Sequence, residues 1–134
     1  MLPSDPMSKR QSYDLPGMIH TNPIPVATRK GPLVVSGGIA GMDPATGTYL
    51  DGIEAQMVKM FENIREVLRL AGGTPEDIVK VTVYLPSRDL RPHVNKEWVK
   101  MFPDEHSRPS RHSFNNPDLP TGCLVQCEIM AYVD

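Results

Sequence analysis

The stretch Ile78-Val79-Lys80-Val81-Thr82-Val83-Tyr84-Leu85 decides how this 134-residue chain is read. Its eight residues are rich in β-branched side chains and too few for a stable helix, so the pattern predicts a strand over 78–85. Val79, Val81, Val83 and Leu85 mark one face at the two-residue period of a pleated strand. Ile78, Thr82 and Tyr84 leave the opposite face only half polar. A strand with apolar residues on both sides needs cover on both sides, and that is the first constraint on the architecture.

Just upstream, Thr74-Pro75-Glu76-Asp77 is a capping sequence with proline at the first helical position, which predicts one short helical turn. Before it, Ile53, Met57, Met60, Phe61, Ile64, Val67, Leu68 and Ala71 recur on a single stripe and predict a helix over 52–71. Asp51 is its expected cap and Gly72-Gly73 its stop. Residues 24–29, a turn at Lys30-Gly31 and residues 33–36 form a hairpin pattern, and Asp43-Pro44-Ala45-Thr46-Gly47 is a further turn. Downstream, Leu90, Val94, Trp98 and Met101 predict a second helix that follows Asp89 and ends at Phe102-Pro103. Residues 111–114 and 124–133 are the last two strands.

The order β-β-α-β-α-β-β over 24–134 is that of an α+β domain, a single mixed β-sheet with two helices packed on one face. Two helices leave the second face bare, so further copies of the chain are expected to cover it. Residues 1–23 hold Pro3, Pro6, Pro16 and Pro23 without core periodicity and are expected to form an extended N-terminal arm.

The chain has 14 Lys+Arg against 16 Asp+Glu and 40% hydrophobic residues, the make-up of one ordinary soluble domain. Nucleic-acid binding by counterion release needs a clustered excess of Lys and Arg, which a net charge of −2 does not supply. No apolar run approaches the ~20 residues that span a bilayer. The first residues lack the apolar segment of a secretory signal, so a cytoplasmic location and no membrane partner are expected. Cys123 and Cys127 are placed on one face of the last strand about 13 Å apart, too far to pair. His20, His93, His106 and His112 show no metal-ligand spacing, and no metal is assigned.

The common catalytic signatures G-x-S-x-G, H-E-x-x-H and C-x-x-C are absent. Two ionisable residues stand out instead. Glu128 interrupts an almost uncharged strand, where it either points to solvent beside Gln126 or acts as a carboxylate that orients or activates water. Arg111 follows Pro109 and Ser110, where it either joins Arg108 and His112 in a solvated basic patch or grips a substrate carboxylate with its planar fork.

The set Val35-Ser36-Gly37-Gly38, Asp43-Pro44-x-Thr46-Gly47, Gln56 with Asn63, Ala71-Gly72, 78–83, Val94-Asn95, Pro109-x-Arg111 and Cys127-Glu128-Ile129-x-Ala131 resembles the RidA/YjgF family of enamine/imine deaminases. The likeness spans about 24–133. It implies a fold similar to that of the trimeric chorismate mutase, and a homotrimer with sites in the clefts between subunits. It further implies a small-molecule carboxylate substrate held by Arg111, a hydrolytic water placed by Glu128, and substrate-binding roles for Ser36, Gly37, Asn95 and Ser113. No cofactor is implied. Ser113 stands where the family often has cysteine, and Pro23 or Ile24 where it often has a tyrosine that reaches a neighbour's site. Tyr13 or His20 on the arm are this chain's candidates for that ring. The implied reaction is hydrolysis of a 2-imino or 2-enamino acid to a 2-oxo acid and ammonium. The alternatives are a larger enamine such as 2-aminomuconate in a catabolic pathway, or a ligand-binding or regulatory protein without turnover.

Overall fold

The computed structural model describes residues 9–17 and 22–134. Among them the elements run β1 (Gln11–Tyr13), β2 (Ala27–Lys30), β3 (Leu33–Ser36), β4 (Ile39–Ala40), β5 (Met42–Asp43), β6 (Thr48–Tyr49), α1 (Ile53–Leu70), β7 (Ile78–Leu85), α2 (Arg91–Met101), β8 (Ser110–Asn115) and β9 (Gln126–Tyr132). The main sheet has the order β1-β2-β3-β9-β7-β8, with β4 also paired to β9, while β5 and β6 form a separate hairpin. Only the β7–β8 pair is parallel, joined through α2 as a parallel pair requires.

Both helices cover the same face of that sheet. Met57, Met60, Phe61, Ile64, Val67 and Leu68 of α1 and Val94, Trp98 and Met101 of α2 share one core with Val34, Val81, Val83, Leu85, Cys127, Ile129 and Ala131. Helix α1 ends as its Gly-Gly stop predicts. The amides of Gly72 and Gly73 return to the carbonyls of Arg69 and Leu68, with Gly72 in the left-handed region at φ +85°. At its start Gly52, and not Asp51, is the capping residue. The short turn before β7 is a 3₁₀ turn, Pro75–Asp77, closed by the Asp77 carboxylate accepting from the Thr74 amide at 2.8 Å.

Among the described residues two polar side chains lie fully inside, Gln56 and Asn63, each 2% exposed. Gln56 donates to the carbonyls of Leu50 and Gly122 and accepts from the Leu124 amide. Asn63 donates to the carbonyls of Ala40 and Met42. Their side chains therefore tie α1 to β4, β5 and the segment that leads into β9. Gly41 permits the close approach: a Cβ there would stand 2.3–2.6 Å from backbone atoms of Gln56.

Several expectations are corrected. Val79 does not face the core. A bulge between Ile78 and Lys80 places Ile78 inside at 5% exposure and leaves Val79 outside at 51%. The first hairpin turns at Gly31-Pro32, since Lys30 pairs with Leu33. Cys123 precedes β9 in a turn, and both cysteines are buried and free. Burial pushes the thiol of Cys127 far up. The arm contributes to the body of the protein: β1 pairs antiparallel with β2, and Leu15 is 2% exposed in the core. No helix among the described residues is long and apolar enough to cross a membrane.

Leu15→Ala is expected to lower stability by about 2–3 kcal/mol, on the order of 10 °C in melting temperature, by leaving a cavity. Gly41→Ala should cost about 2–3 kcal/mol because the new methyl meets backbone that has no room to move. Denaturant unfolding of both variants checks these values. A Leu15→Ala protein as stable as the parent would mean that the arm packs without supporting the core.

Candidate functional site

The register of the parallel pair fixes where Arg111 points. Val81 pairs with Arg111 and Val83 with Ser113, so both β8 side chains share the helix-covered side of the sheet, at its edge. There the Arg111 Nη2 donates to Asn95 Oδ1 of α2 at 2.6 Å, and its guanidinium carbon lies 4.9 Å from the centre of the Trp98 ring. Asn95 and Trp98 are three residues apart and rise from one face of α2. Burial, with Arg91 nearby, lowers the proton affinity of Arg111, but a guanidinium stays charged throughout the working range. A cleft of about 450 Å³ lies here, lined by Arg88, Asp89, Arg91, Pro92, Asn95 and Arg111.

Glu128 belongs to the opposite face. Along β9 the buried Cys127, Ile129 and Ala131 alternate with Gln126, Glu128, Met130 and Tyr132, which look away from the helices. Tyr84, on the same side of β7, donates its hydroxyl to Glu128 Oε1 at 3.0 Å. Burial first, and this bond second, raise the pKa of the Tyr84 phenol and so keep it a donor at neutral pH. Beside them the β3–β9 ladder breaks between Val35↔Met130 and Ile39↔Cys127. Ser36 fills the gap, its Oγ accepting from the Ile129 amide and donating to the Gly37 carbonyl, both at 2.9 Å. Gly37 is held by its amide on the Val26 carbonyl. A cleft of about 300 Å³ is lined by Val35, Ser36, Lys80, Thr82, Glu128, Ile129 and Met130.

The expected site residues therefore fall into two groups. Arg111 is joined directly to Asn95, with Ser113 on the same face, while Ser36 and Glu128 share a cleft with Gly37 at its side. Arg111 and Glu128 do not meet within the chain. The basic patch with Arg108 and His112 does not form either: Arg108 donates to the Phe102 carbonyl, and His112 pairs with Thr82 on the open face. Within its own chain Tyr13 packs against the core and donates its hydroxyl to Gln11 Oε1, and His20 lies outside the described residues. The phenol beside Glu128 is that of Tyr84, which sequence reasoning placed only as a half-polar position of its strand. Its parity with Thr82 was the available signal. Among the described residues, no three His, Cys, Asp or Glu side chains group as a metal site.

The family model described as Endoribonuclease L-PSP matches residues 21–133. The chain is similar to a RutC family protein of Aquifex aeolicus, 31% identical over 114 residues covering 81% of this chain and 91% of that protein. It is also similar to a 2-iminobutanoate/2-iminopropanoate deaminase of Bos taurus, 35% identical over 95 residues covering 70% and 68% of the two chains. The crystal structure of RidA from an Antarctic Psychrobacter superposes with a TM-score of 0.81 at 28% identity, covering 92% of this chain and 97% of that one. By that match the chain belongs to the Endoribonuclease L-PSP family, the RidA/YjgF family whose motifs it carries.

Proposed function

We propose that the protein hydrolyses 2-imino and 2-enamino acids to 2-oxo acids and ammonium, as a homotrimer whose sites lie between subunits. The observation that carries this reading is the guanidinium of Arg111, bonded to Asn95 and set over Trp98, which lines a cleft at the sheet edge. Relatives at 28–35% identity include 2-iminobutanoate/2-iminopropanoate deaminases of Salmonella typhimurium, Bos taurus and Capra hircus.

In this reading Arg111 binds the substrate carboxylate bidentately, with Asn95 holding the fork in plane. Ser113 borders the bound group, and Ser36 with the backbone at Gly37 orients the imine nitrogen. The protonated imine is already a strong electrophile. Glu128, held by Tyr84, takes a proton from water as its oxygen bonds to C2. Glu128 then gives that proton to the nitrogen of the carbinolamine, the C–N bond breaks as the hydroxyl proton passes to the Glu128 carboxylate and the C2 oxygen becomes the carbonyl of the 2-oxo acid, and the departing ammonia takes up that last proton to leave as ammonium. The reaction needs no cofactor.

Because Arg111 and Glu128 occupy opposite faces, a complete site takes Arg111 from one copy and Glu128 from the next. The open face suits such docking. Leu33, Phe114, Met130 and Tyr132 on it are 44–56% exposed, an apolar surface that a second sheet would cover.

Light scattering should give three times the 14.9 kDa chain mass; a stable monomer that still deaminates imines would sink the shared-site reading. Arg111→Ala should lose about thirty- to several-thousand-fold in kcat/KM, and Arg111→Lys should recover little without the planar fork. Glu128→Gln should lose about 10²–10⁴ in kcat while retaining affinity for 2-oxobutanoate. Tyr84→Phe should lower kcat about tenfold with KM nearly unmoved, the signature of a residue that acts by positioning Glu128. Wild-type turnover by Glu128→Gln would remove the carboxylate from the chemical step.

A further inference from the structure

The cleft at Arg111 holds more positive charge than one carboxylate needs. Arg88, Arg91 and Arg111 line it, against a single acidic residue, Asp89. Among the described residues the ion pairs are Lys59–Glu62, Glu66–Arg69, Glu97–Lys100 and Glu105–His106, and none engages these three arginines. On α1 and α2, Lys59, Arg69 and Lys100 each meet a glutamate three residues away, while Arg65 and Lys96 are in no ion pair; what sets this cleft apart is that three unpaired guanidinium groups line it together.

Their placement is specific. Arg91 precedes Asn95 by four residues in α2, so it rises from the same helix face as the side chain that holds Arg111. Arg88 sits in the 3₁₀ turn Arg88–Leu90, and its carbonyl accepts from the Arg91 Nε at 3.4 Å, which draws the two residues together at the cleft wall. Three guanidinium groups around one cleft repel one another, and an anion bound between them relieves that repulsion. A monocarboxylate on Arg111 neutralises only the first charge.

We propose that Arg91, assisted by Arg88, forms a second anion subsite beside Arg111, and that the substrate is a dicarboxylate imine or enamine. This rests on the deaminase reading for the role of Arg111 and adds the class of substrate. The planar forks favour a second carboxylate bound end-on, at the far end of a chain whose first carboxylate is on Arg111.

The test compares 2-oxoglutarate with 2-oxobutanoate, a dicarboxylate and a monocarboxylate product analogue, as ligands of the whole chain by titration calorimetry at low salt. Wild type is expected to prefer 2-oxoglutarate by about tenfold or more. That preference should fall below about threefold in Arg91→Ala and vanish in the Arg88→Ala/Arg91→Ala double variant. Arg91→Glu should reverse it. Light scattering on each variant separates a lost subsite from a lost assembly. Equal binding of the two acids by wild type, with 2-iminobutanoate still hydrolysed, overturns the subsite and leaves the deaminase reading standing. A preference that survives the double variant also overturns it. If wild type binds neither acid and hydrolyses no imine, the deaminase reading falls and the subsite falls with it.

Discussion

Everything in this protein follows from one constraint: a sheet six strands wide is served by two helices, and both lie on the same face. The apolar alternation of β7 and β9 fills that covered side with Val81, Val83, Leu85, Cys127, Ile129 and Ala131. The strands' other residues are left to define a second surface, and it is neither polar nor covered within the chain. The same parity sorts the chemistry. A side chain on β8 at the parity of Val81 joins the helix layer, and one on β9 at the parity of Thr82 joins the open face. Arg111 and Glu128 are separated by this rule more than by distance along the sheet.

The position of α1 is held by hydrogen bonds as well as by packing. Gln56 and Asn63 are buried amides whose N–H donors, and in Gln56 the acceptor as well, are matched to backbone on three segments. Unmatched, each would cost the desolvation of a buried amide, so a shifted helix is penalised steeply. The consequence reaches the site. The segment leading into β9 and the β4 end of the broken ladder are both fixed on α1, and it is across that break that Ser36 reaches the Ile129 amide next to Glu128.

Much of this was legible in the amino-acid sequence because it is local. The stripe on α1, the Gly-Gly stop, the 3₁₀ turn and the apolar parity of 81, 83 and 85 each depend on residues a few positions apart. The bulge at Val79 is set by pairing with β9, fifty residues away, and no local pattern encodes it. Leu15 enters the core from the irregular segment after a three-residue strand, where there is no period to read. For the site, residue type drew attention to Arg111 and Glu128, but their faces depend on the register of β8 against β7 and of β7 against β9. Tyr84 went unassigned for the same reason, since its meaning comes from a cross-strand neighbour. Arg88 and Arg91 look like ordinary helix-start charges until the fold sets them beside Arg111.

The claim that one chain lends Arg111 and its neighbour lends Glu128 is tested most directly by mixing two inactive variants. Arg111→Ala and Glu128→Gln chains, unfolded together and refolded at equal ratio, should form mixed oligomers in which some sites hold both native side chains. Random assembly predicts recovery of about a quarter of wild-type activity, from two preparations that are each nearly inactive alone. Activity of the refolded mixture no higher than the sum of the separate variants would place both residues in a single chain's site and contradict the shared cleft.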